Sequence, residues 1–225
     1  MQILLVSATP FEIQPFLAYL SEHFTKAEEN TFLKNELQIE VLITGVGIPL
    51  TAYHLGRVFA QKSFDLAINA GIAGAFNRNL QIGDTVNVIS EQFGDLGIEE
   101  ADGSFTDLFE NKLLSANDEL FSDGKLLNPT AADFTFLPPA KGLTINKVHG
   151  YPPSIDAIRK KYEADTESME GAAFFLACRQ AGVKFLEIRS VSNYVEKRNR
   201  EAWNLPLSVH NLNKVLTKMA ESLAG

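Results

Sequence analysis

Residues 38–59 read QIEVLITGVGIPLTAYHLGRVF. The run 38–44 is apolar and β-branched, which is typical of a buried strand, and Gly45-Val46-Gly47 predicts a turn. Beyond the turn, apolar residues recur on a helical stripe, namely Leu50, Ala52, Leu55, Val58 and Phe59. The stretch therefore predicts a strand, a turn and a helix in succession.

The same order recurs on both sides of this stretch. Further strands are predicted at 3–6, 66–71, 85–90, 141–148 and 185–191, and helices from Pro10 and over 153–162, 169–181 and 206–223. The small residues 71–75, which follow their strand, permit either a close backbone turn or a close approach to a ligand. Strands that alternate with helices predict one α/β domain over residues 1–225, a three-layer fold with a central mixed β-sheet flanked by helices.

Residues 95–139 break this pattern. Their periodicity is poor, Asp, Asn, Ser and Gly are frequent, and five phenylalanines are scattered among them. We interpret the segment as a partly ordered excursion from the sheet, with a lid as one possible role.

Composition limits the class of partner. The 225 residues are 45% hydrophobic and include 16 Phe, enough for a core without disulfides or a structural metal. Twenty basic against 28 acidic residues give a net charge of −8, which argues against nucleic acid and favours a small-molecule substrate. No apolar run approaches the roughly 20 residues of a membrane span, and the first run, 3–6, is too short for a signal peptide. We therefore expect a soluble cytoplasmic protein without membrane contact, and a buried, unpaired Cys178.

Polar or glycine-bearing segments follow four predicted strands, at 7–12, 44–47, 69–74 and 190–193. In open α/β sheets, ligands bind beyond the carboxyl ends of the strands, so these segments are expected to converge on one pocket. Gly45-x-Gly47 lacks the third glycine of a dinucleotide fingerprint, and a plain tight turn explains it better.

Residues 165–173 read DTESMEGAA. A carboxylate, Glu170, directly precedes a helix of small residues, where the helix dipole by itself favours it. Met169-Glu170 also resembles the Met-Glu ribose-binding motif of the purine nucleoside phosphorylase and nucleosidase superfamily. Residues 45–47 resemble that superfamily's glycine turn, 69–74 its base-side loop, and 190–193 the strand end that carries its purine-contacting acid or amide. Within that superfamily, residues 167–173 and 192–200 are most similar to the futalosine hydrolases. These are relatives of the methylthioadenosine/S-adenosylhomocysteine nucleosidases.

The resemblance implies an enzyme that hydrolyses the N-glycosidic bond of the purine nucleoside futalosine, releasing hypoxanthine and dehypoxanthinyl futalosine in menaquinone biosynthesis. It implies no cofactor and no metal, and a homo-oligomer, a dimer or larger. Glu12 matches the carboxylate that activates water, as a carboxylate in an apolar pocket can. Glu170 would accept hydrogen bonds from the ribose 2′ and 3′ hydroxyls, with Met169 against the sugar. A Glu at the start of a surface helix is the plainer explanation for Glu12.

Asn193 departs from the adenine-specific nucleosidases, which have an Asp at the matching position. An amide cannot act as a general acid, but its NH2 can donate to N7 or O6 of a 6-oxopurine. Asn193 therefore favours hypoxanthine as the released base. The phosphate-binding Arg and hydroxyl of the phosphorylases are replaced by Asn69 and Ile72, which favours water as the nucleophile.

The remaining site predictions concern the base and the 5′ substituent. Gly47, Ile72, Ala73 and Gly74 are expected to contact the base or its loop, and Phe93 and Tyr151 are candidates for stacking on it. Arg198 and Arg200, beside Trp203, are candidates for the substrate carboxylate, although a solvated charged loop explains them equally well.

Two alternatives to futalosine hydrolysis stay open. One is a methylthioadenosine/S-adenosylhomocysteine-type nucleosidase, and the other is a nucleoside-binding protein without catalysis. The four histidines, His23, His54, His149 and His210, show no spacing typical of metal ligands or of a catalytic triad.

Overall fold

The computed structural model describes residues 1–225 and contains thirteen strands and five α-helices. The strands are β1 (Gln2–Ser7), β2 (Thr25–Glu28), β3 (Thr31–Lys34), β4 (Leu37–Ile43), β5 (Leu66–Ala75), β6 (Thr85–Phe93), β7 (Gly97–Glu99), β8 (Phe105–Asp107), β9 (Phe121–Ser122), β10 (Lys125–Leu127), β11 (Pro139–Thr144), β12 (Thr166–Ser168) and β13 (Phe185–Tyr194). The helices are α1 (Pro10–His23), α2 (Ile48–Phe59), α3 (Pro152–Lys161), α4 (Gly171–Ala181) and α5 (Leu205–Ala224).

Eleven strands form one mixed sheet. Strands β4, β1, β5 and β13 lie side by side and parallel, so their carboxyl ends meet at one edge. Strand β5 also pairs with β12, β12 with β11, β11 with β6, and β6 with β13. These pairings close β5, β12, β11, β6 and β13 into a ring, and β7 and β8 form a separate hairpin.

Two apolar cores lie on opposite faces of the sheet. Helices α1 and α5 cover one face through Ile13, Phe16, Leu212 and Leu216. Helices α2 and α4 cover the other face, where three phenylalanines pack edge to face, Phe174, Phe175 and Phe185. The predicted three-layer α/β fold with a mixed sheet is therefore confirmed.

Helix boundaries follow local chemistry. Prolines occupy the first turns of α1, α2, α3 and α5. Backbone N–H groups in the first turn make no intrahelical hydrogen bond, so the N–H that proline lacks is not needed there. Gly182 ends α4 in the left-handed conformation, with φ +65°, as its place in the sequence predicts.

Of the two alternatives for residues 71–75, the close backbone turn is wrong, and Ile72, Ala73 and Gly74 line the cleft described below. The chain continues as one strand, β5, through Ala75. Gly71 and Gly74 leave space for side chains of a neighbouring strand. A Cβ on Gly71 would lie 2.4 Å from Arg189 Nη1, and one on Gly74 would lie 3.2 Å from Asn193 Nδ2. Both side chains come from neighbouring β13, which the sequence does not place beside β5.

Residues 95–139 are more regular than their composition predicts. Strand β10 pairs with β6 and extends the sheet, and Phe109 packs edge to face on Phe121 with ring centroids 5.1 Å apart. No residue of this segment lines the cleft described below, so nothing in its position supports a lid over that cleft. None of the helices is both long and apolar enough to cross a membrane.

Candidate active site

A cleft of about 310 Å³ lies at the carboxyl ends of β1, β5 and β13. Its walls are formed by Ala8, Thr9, Phe11, Glu12, Val46, Ile72, Ala73, Gly74, Val148, Glu167, Ser168, Met169, Glu170, Ser192, Asn193, Trp203 and Leu205. All four polar or glycine-bearing segments of the sequence contribute to it. Its volume is at the lower end of the roughly 300–1,000 Å³ typical of small-molecule sites.

Glu12 is held in the cleft by both of its oxygens. It is the third residue of α1, and its Oε2 accepts hydrogen bonds from the backbone N–H of Thr9 at 3.1 Å and from the Thr9 hydroxyl at 2.9 Å. Its Oε1 accepts from the backbone N–H of Ile72 in β5 at 3.1 Å. The carboxylate is buried but lines the cleft.

Glu170 lies on the other side of the cleft, in the position immediately before α4. Its Oε1 accepts the backbone N–H of Gly47 at 2.9 Å, and its Oε2 lies 3.9 Å from Arg189 Nη2. Gly47 has φ +101°, a conformation that favours glycine. Gly47 thus reaches the site through its N–H. Burial raises the pKa of Glu170, and the charge of Arg189 opposes that shift.

Arg189 lies beneath Glu12 and Glu170 and is almost completely buried. Its Nε lies 2.9 Å from Glu187 Oε1, and its Nη1 donates to Asn69 Oδ1 at 3.2 Å. Burial lowers the pKa of the guanidinium, but Glu187 and the other nearby carboxylates outweigh this and raise it. The group therefore stays charged. Sequence reasoning missed it, although a charged residue inside the apolar run 185–191 was a usable signal.

A second pair of carboxylates, Glu91 and Glu187, lies deeper still. A Cβ on Gly171 would lie 2.1 Å from Glu91 Oε1 and 2.7 Å from Glu187 Oε1, so the two groups approach the same point below α4. Thr144 donates to Glu91 Oε2 at 2.8 Å. Desolvation, followed by mutual repulsion, raises the pKa of Glu91, and desolvation raises the pKa of Glu187 to about 7. The pair accordingly retains a proton to a higher pH than exposed carboxylates do.

Asn193 lies next to a β-bulge, because Val191 pairs with Ala73 and Asn193 with Gly74, which leaves Ser192 between them. Its Nδ2 donates to the Tyr194 carbonyl at 3.0 Å, and its Oδ1 accepts from the Ser192 hydroxyl at 2.8 Å. Since a carbonyl only accepts, these contacts fix which amide atom is nitrogen. The second N–H of Asn193 has no protein acceptor.

The remaining predicted site residues fall into two groups, those that line the cleft and those that do not. Ile72, Ala73, Gly74 and Met169 line the cleft.

Phe93 instead packs against the core beneath α4, and Tyr151 is two-thirds exposed at the start of α3. Arg198 does not line the cleft, but its guanidinium lies 5.2 Å from the centre of the Trp203 ring, and Trp203 does line it. Arg200 is exposed in a short 3-10 turn. The roles of these four residues, like those of the residues that line the cleft, stay predictions.

Glu167 and His149 were not predicted. Glu167 lines the cleft, its Oε1 accepts the backbone N–H of His149 at 3.1 Å, and its Oε2 pairs with His149 Nδ1. The two residues lie on separate segments, so only the folded chain reveals the pair. No group of three or more His, Cys, Asp or Glu side chains is arranged to hold a metal ion.

A larger groove of about 730 Å³ lies at the amino ends of the strands, between α5 and residues 134–137. Its walls are mostly apolar, and its charged groups, such as Lys218, lie in solvent. The smaller cleft is the better candidate because three buried carboxylates and a buried amide converge on it.

A family model described as the phosphorylase superfamily matches residues 2–125 and 144–224. The chain belongs to the phosphorylase superfamily. The resemblance carried by Met169-Glu170 and the glycine turn is thereby confirmed. The match spans most of the chain, including every segment that forms the cleft.

Curated relatives include two futalosine hydrolases. The protein from Acidothermus cellulolyticus is 31% identical over 178 residues, covering 77% of this chain and 71% of the relative. That from Thermus thermophilus is 30% identical over 186 residues, covering 82% of each. A 5′-methylthioadenosine/S-adenosylhomocysteine nucleosidase from Colwellia psychrerythraea is 25% identical and covers 95% of this chain and 94% of its own.

Solved structures agree on the fold. The native structure of futalosine hydrolase from Helicobacter pylori superposes with a TM-score of 0.77 at 16% identity and covers 99% of this chain and 98% of that one. The Colwellia psychrerythraea nucleosidase, solved in complex with adenine, gives a TM-score of 0.72 at 19% identity over 97% of this chain and 94% of its own.

Proposed function

We propose that this protein is a purine nucleosidase that hydrolyses the N-glycosidic bond of futalosine, releasing hypoxanthine and dehypoxanthinyl futalosine. The observation that carries the proposal is the pair Glu12 and Glu170, both buried in one cleft and each oriented by a backbone N–H from another segment. The similarity to two futalosine hydrolases supports the choice of substrate, and a place in menaquinone biosynthesis follows from it.

In the proposed reaction, a water oxygen bonds to C1′ of the ribose as the bond from C1′ to N9 breaks. Glu12 takes a proton from that water, and the bond's electron pair leaves with the purine, which gains a proton from solvent. Glu170 accepts hydrogen bonds from the ribose hydroxyls, and its charge favours the positive sugar of the transition state. Asn193 donates its free N–H to the departing base.

The 5′ substituent of futalosine carries an aromatic carboxylate. Trp203 supplies an aromatic surface in the wall of the cleft, and Arg198 lies over its outer side. A guanidinium there can pair with a carboxylate that extends past the ring. Of the two arginines in this segment, Arg198 is therefore the better candidate, because the structure gives Arg200 no comparable contact.

A methylthioadenosine/S-adenosylhomocysteine nucleosidase is the second candidate. The Colwellia psychrerythraea relative supports it, since the match covers nearly the whole of both chains. Asn193 argues against it, because its amide cannot protonate N7 of adenine. The proposal therefore keeps futalosine as the substrate.

Purine release by the purified protein tests the proposal. Futalosine, inosine and methylthioadenosine are each incubated with and without phosphate, and the products are separated by chromatography. Hypoxanthine from futalosine without phosphate is the expected result. Adenine from methylthioadenosine would favour the second candidate, ribose 1-phosphate would indicate a phosphorylase, and binding without release would indicate a nucleoside-binding protein.

We also expect a homo-oligomer. Leu50 and Tyr53 are exposed one turn apart at the start of α2, and Val46, in the turn before the helix, is exposed and also lines the cleft. Apolar side chains grouped in this way are typical of protein contact surfaces. Light scattering coupled to size-exclusion chromatography measures the mass directly, and a monomer at every concentration would contradict the expectation.

A further inference from the structure

Arg189 stops short of a direct hydrogen bond to Glu170. Its Nη2 lies 3.9 Å from Glu170 Oε2, beyond hydrogen-bonding distance, and has no hydrogen-bond partner in the protein. A buried guanidinium and a carboxylate separated by so small a gap would ordinarily close it, because leaving a buried charged donor unpaired is costly. Other contacts must therefore hold Arg189 in place.

Two side chains hold the guanidinium by its other nitrogens. Glu187 Oε1 lies 2.9 Å from Arg189 Nε, an ion pair rather than an aligned hydrogen bond, and Asn69 Oδ1 accepts from Nη1 at 3.2 Å. Glu187 is completely buried, so solvent screens its attraction for Arg189 very little. These contacts engage Nε and Nη1 and leave only Nη2 to face Glu170.

The gap between Arg189 and Glu170 leaves an acceptor available in the cleft. Glu170 Oε1 already accepts the N–H of Gly47, so Oε2 is the oxygen with the greater free acceptor capacity. If Arg189 advanced by about 1 Å, a charge-assisted hydrogen bond would occupy that oxygen. A ribose hydroxyl would then have to compete with a buried guanidinium.

We propose that Glu187 is a positioning residue for ribose binding, because it holds Arg189 back from Glu170 and so keeps Glu170 Oε2 free for a ribose hydroxyl. This inference rests on the ribose-binding role of Glu170 in the proposed function and extends it to a carboxylate outside the wall of the cleft. Glu187 acts only through Arg189. A carboxylate that merely balanced the buried charge would affect stability alone, whereas a positioning residue affects which sugars bind.

Binding of uncleavable nucleosides tests the inference without depending on turnover. Formycin B is a C-nucleoside analogue of inosine, and 2′-deoxyformycin B lacks one of its hydroxyls. Calorimetry at about pH 8 keeps Glu187 ionised, since burial raises its pKa to about 7. We expect the wild type to prefer formycin B over the deoxy compound by about tenfold or more, because a hydrogen bond to a carboxylate is strong. Free hypoxanthine, which has no ribose, is the reference ligand.

Four substitutions would be ambiguous without a charge-only change, and Glu187→Gln supplies it. It keeps the size of the side chain and removes the charge, so the preference for formycin B should fall to within about threefold while hypoxanthine binding is unchanged. Asn69→Ala removes the second contact and should lower the preference by a smaller factor. Glu196→Ala, which breaks an exposed pair with Arg78, is the matched control and should bind all three ligands like the wild type.

A crystal structure of Glu187→Gln tests the geometry directly. We expect Arg189 Nη2 to lie about 2.9 Å from Glu170 Oε2 in that variant, and a distance that stays near the original 3.9 Å would overturn the inference. Urea unfolding shows whether each variant is folded. If Glu187→Gln does not fold, Asn69→Ala decides, and an unchanged sugar preference in it would overturn the inference.

The binding results separate this inference from the proposed function. A folded Glu187→Gln protein with the sugar preference of the wild type would overturn the inference and leave the proposed function standing. An equal loss of affinity for hypoxanthine would also overturn it, because that loss indicates general damage to the cleft. A wild type without any sugar preference would overturn it together with the ribose-binding role of Glu170. The expected preferences without cleavage of any nucleoside would support the inference and contradict the proposed function.

Discussion

Gly71→Ala is the most direct test of how the sheet supports the site. A methyl group at this position would lie 2.4 Å from Arg189 Nη1 and 2.9 Å from Glu12 Oε1, whereas ordinary contacts begin at 3.4 Å. Arg189 would therefore have to shift by about 1 Å. It cannot do so freely, because Glu187 and Asn69 hold it in a fully packed interior.

The expected magnitude follows from this overlap. Overpacking a buried site typically lowers the free energy of unfolding by about 1–3 kcal/mol. Misplacing a catalytic group by about 1 Å can lower the rate by on the order of 100-fold. We expect Gly71→Ala to lower kcat/KM by about that factor, because Glu12 would be displaced together with Arg189.

Purine release gives kcat/KM, and urea unfolding gives the stability. Gly56→Ala is the matched control, since no atom lies within 4 Å of its added methyl group on α2. The control should keep its activity and gain up to about 1 kcal/mol, because alanine favours a helix over glycine. Near-normal activity and stability in Gly71→Ala would refute the reasoning, and lost stability with normal activity would show that catalysis does not need this placement of Arg189 and Glu12.

Four further predictions follow from the same geometry. Glu12→Gln should abolish turnover while calorimetry still detects nucleoside binding, and an unchanged kcat would remove Glu12 from the mechanism. Asn193→Asp should shift the kcat/KM ratio from futalosine toward methylthioadenosine, and an unaltered ratio would contradict its role at the base. Burial raises the pKa of Glu187 from 4.5 to about 7 and also raises that of Glu91, so the native state binds more protons than the unfolded chain in this range. The free energy of unfolding should therefore fall, by on the order of 3 kcal/mol for Glu187, as the pH rises from about 4.5 to above 7. Glu91→Gln should reduce that fall in urea titrations between pH 5 and pH 8, whereas a wild-type stability that rises with pH would reverse the assignment. Arg198→Ala should raise KM for futalosine but not for inosine, and equal effects on both substrates would argue against a carboxylate contact.

Local sequence patterns predicted most of the secondary structure. Apolar periodicity and prolines marked the helices, so α2, α4 and α5 lie within a few residues of their predicted bounds. The errors fall where tertiary contacts override composition. Residues 71–75 are rich in small side chains, which permitted a turn or an approach to a ligand. They continue β5 because they pair with β13, and the glycines leave space for Arg189 and Asn193.

The residues of the candidate site also divide into those that the sequence predicted and those that only the folded chain revealed. Glu12, Glu170 and Asn193 follow strands or precede a helix, so their motifs were visible in the sequence and placed them at one edge of the sheet. Arg189 and Glu187 lie inside an apolar strand and pair with each other, and the other partners of Arg189, Glu170 and Asn69, come from different parts of the chain. No local pattern connects such residues.

The sequence by itself therefore determined the alternation of strands and helices, the three-layer fold and the residues that resemble a purine nucleosidase. These depend on periodicity and on short motifs, which act between near neighbours in the chain. Only the tertiary structure decided that β13 lies between β5 and β6, that Arg189 joins the cleft carboxylates, and that Glu167 faces Asn193 across Gly74. Strand pairing over long sequence separations brings these groups together. Burial then raises the pKa values of Glu170 and Glu187, whereas the neighbouring carboxylates raise the pKa of the Arg189 guanidinium against the effect of burial.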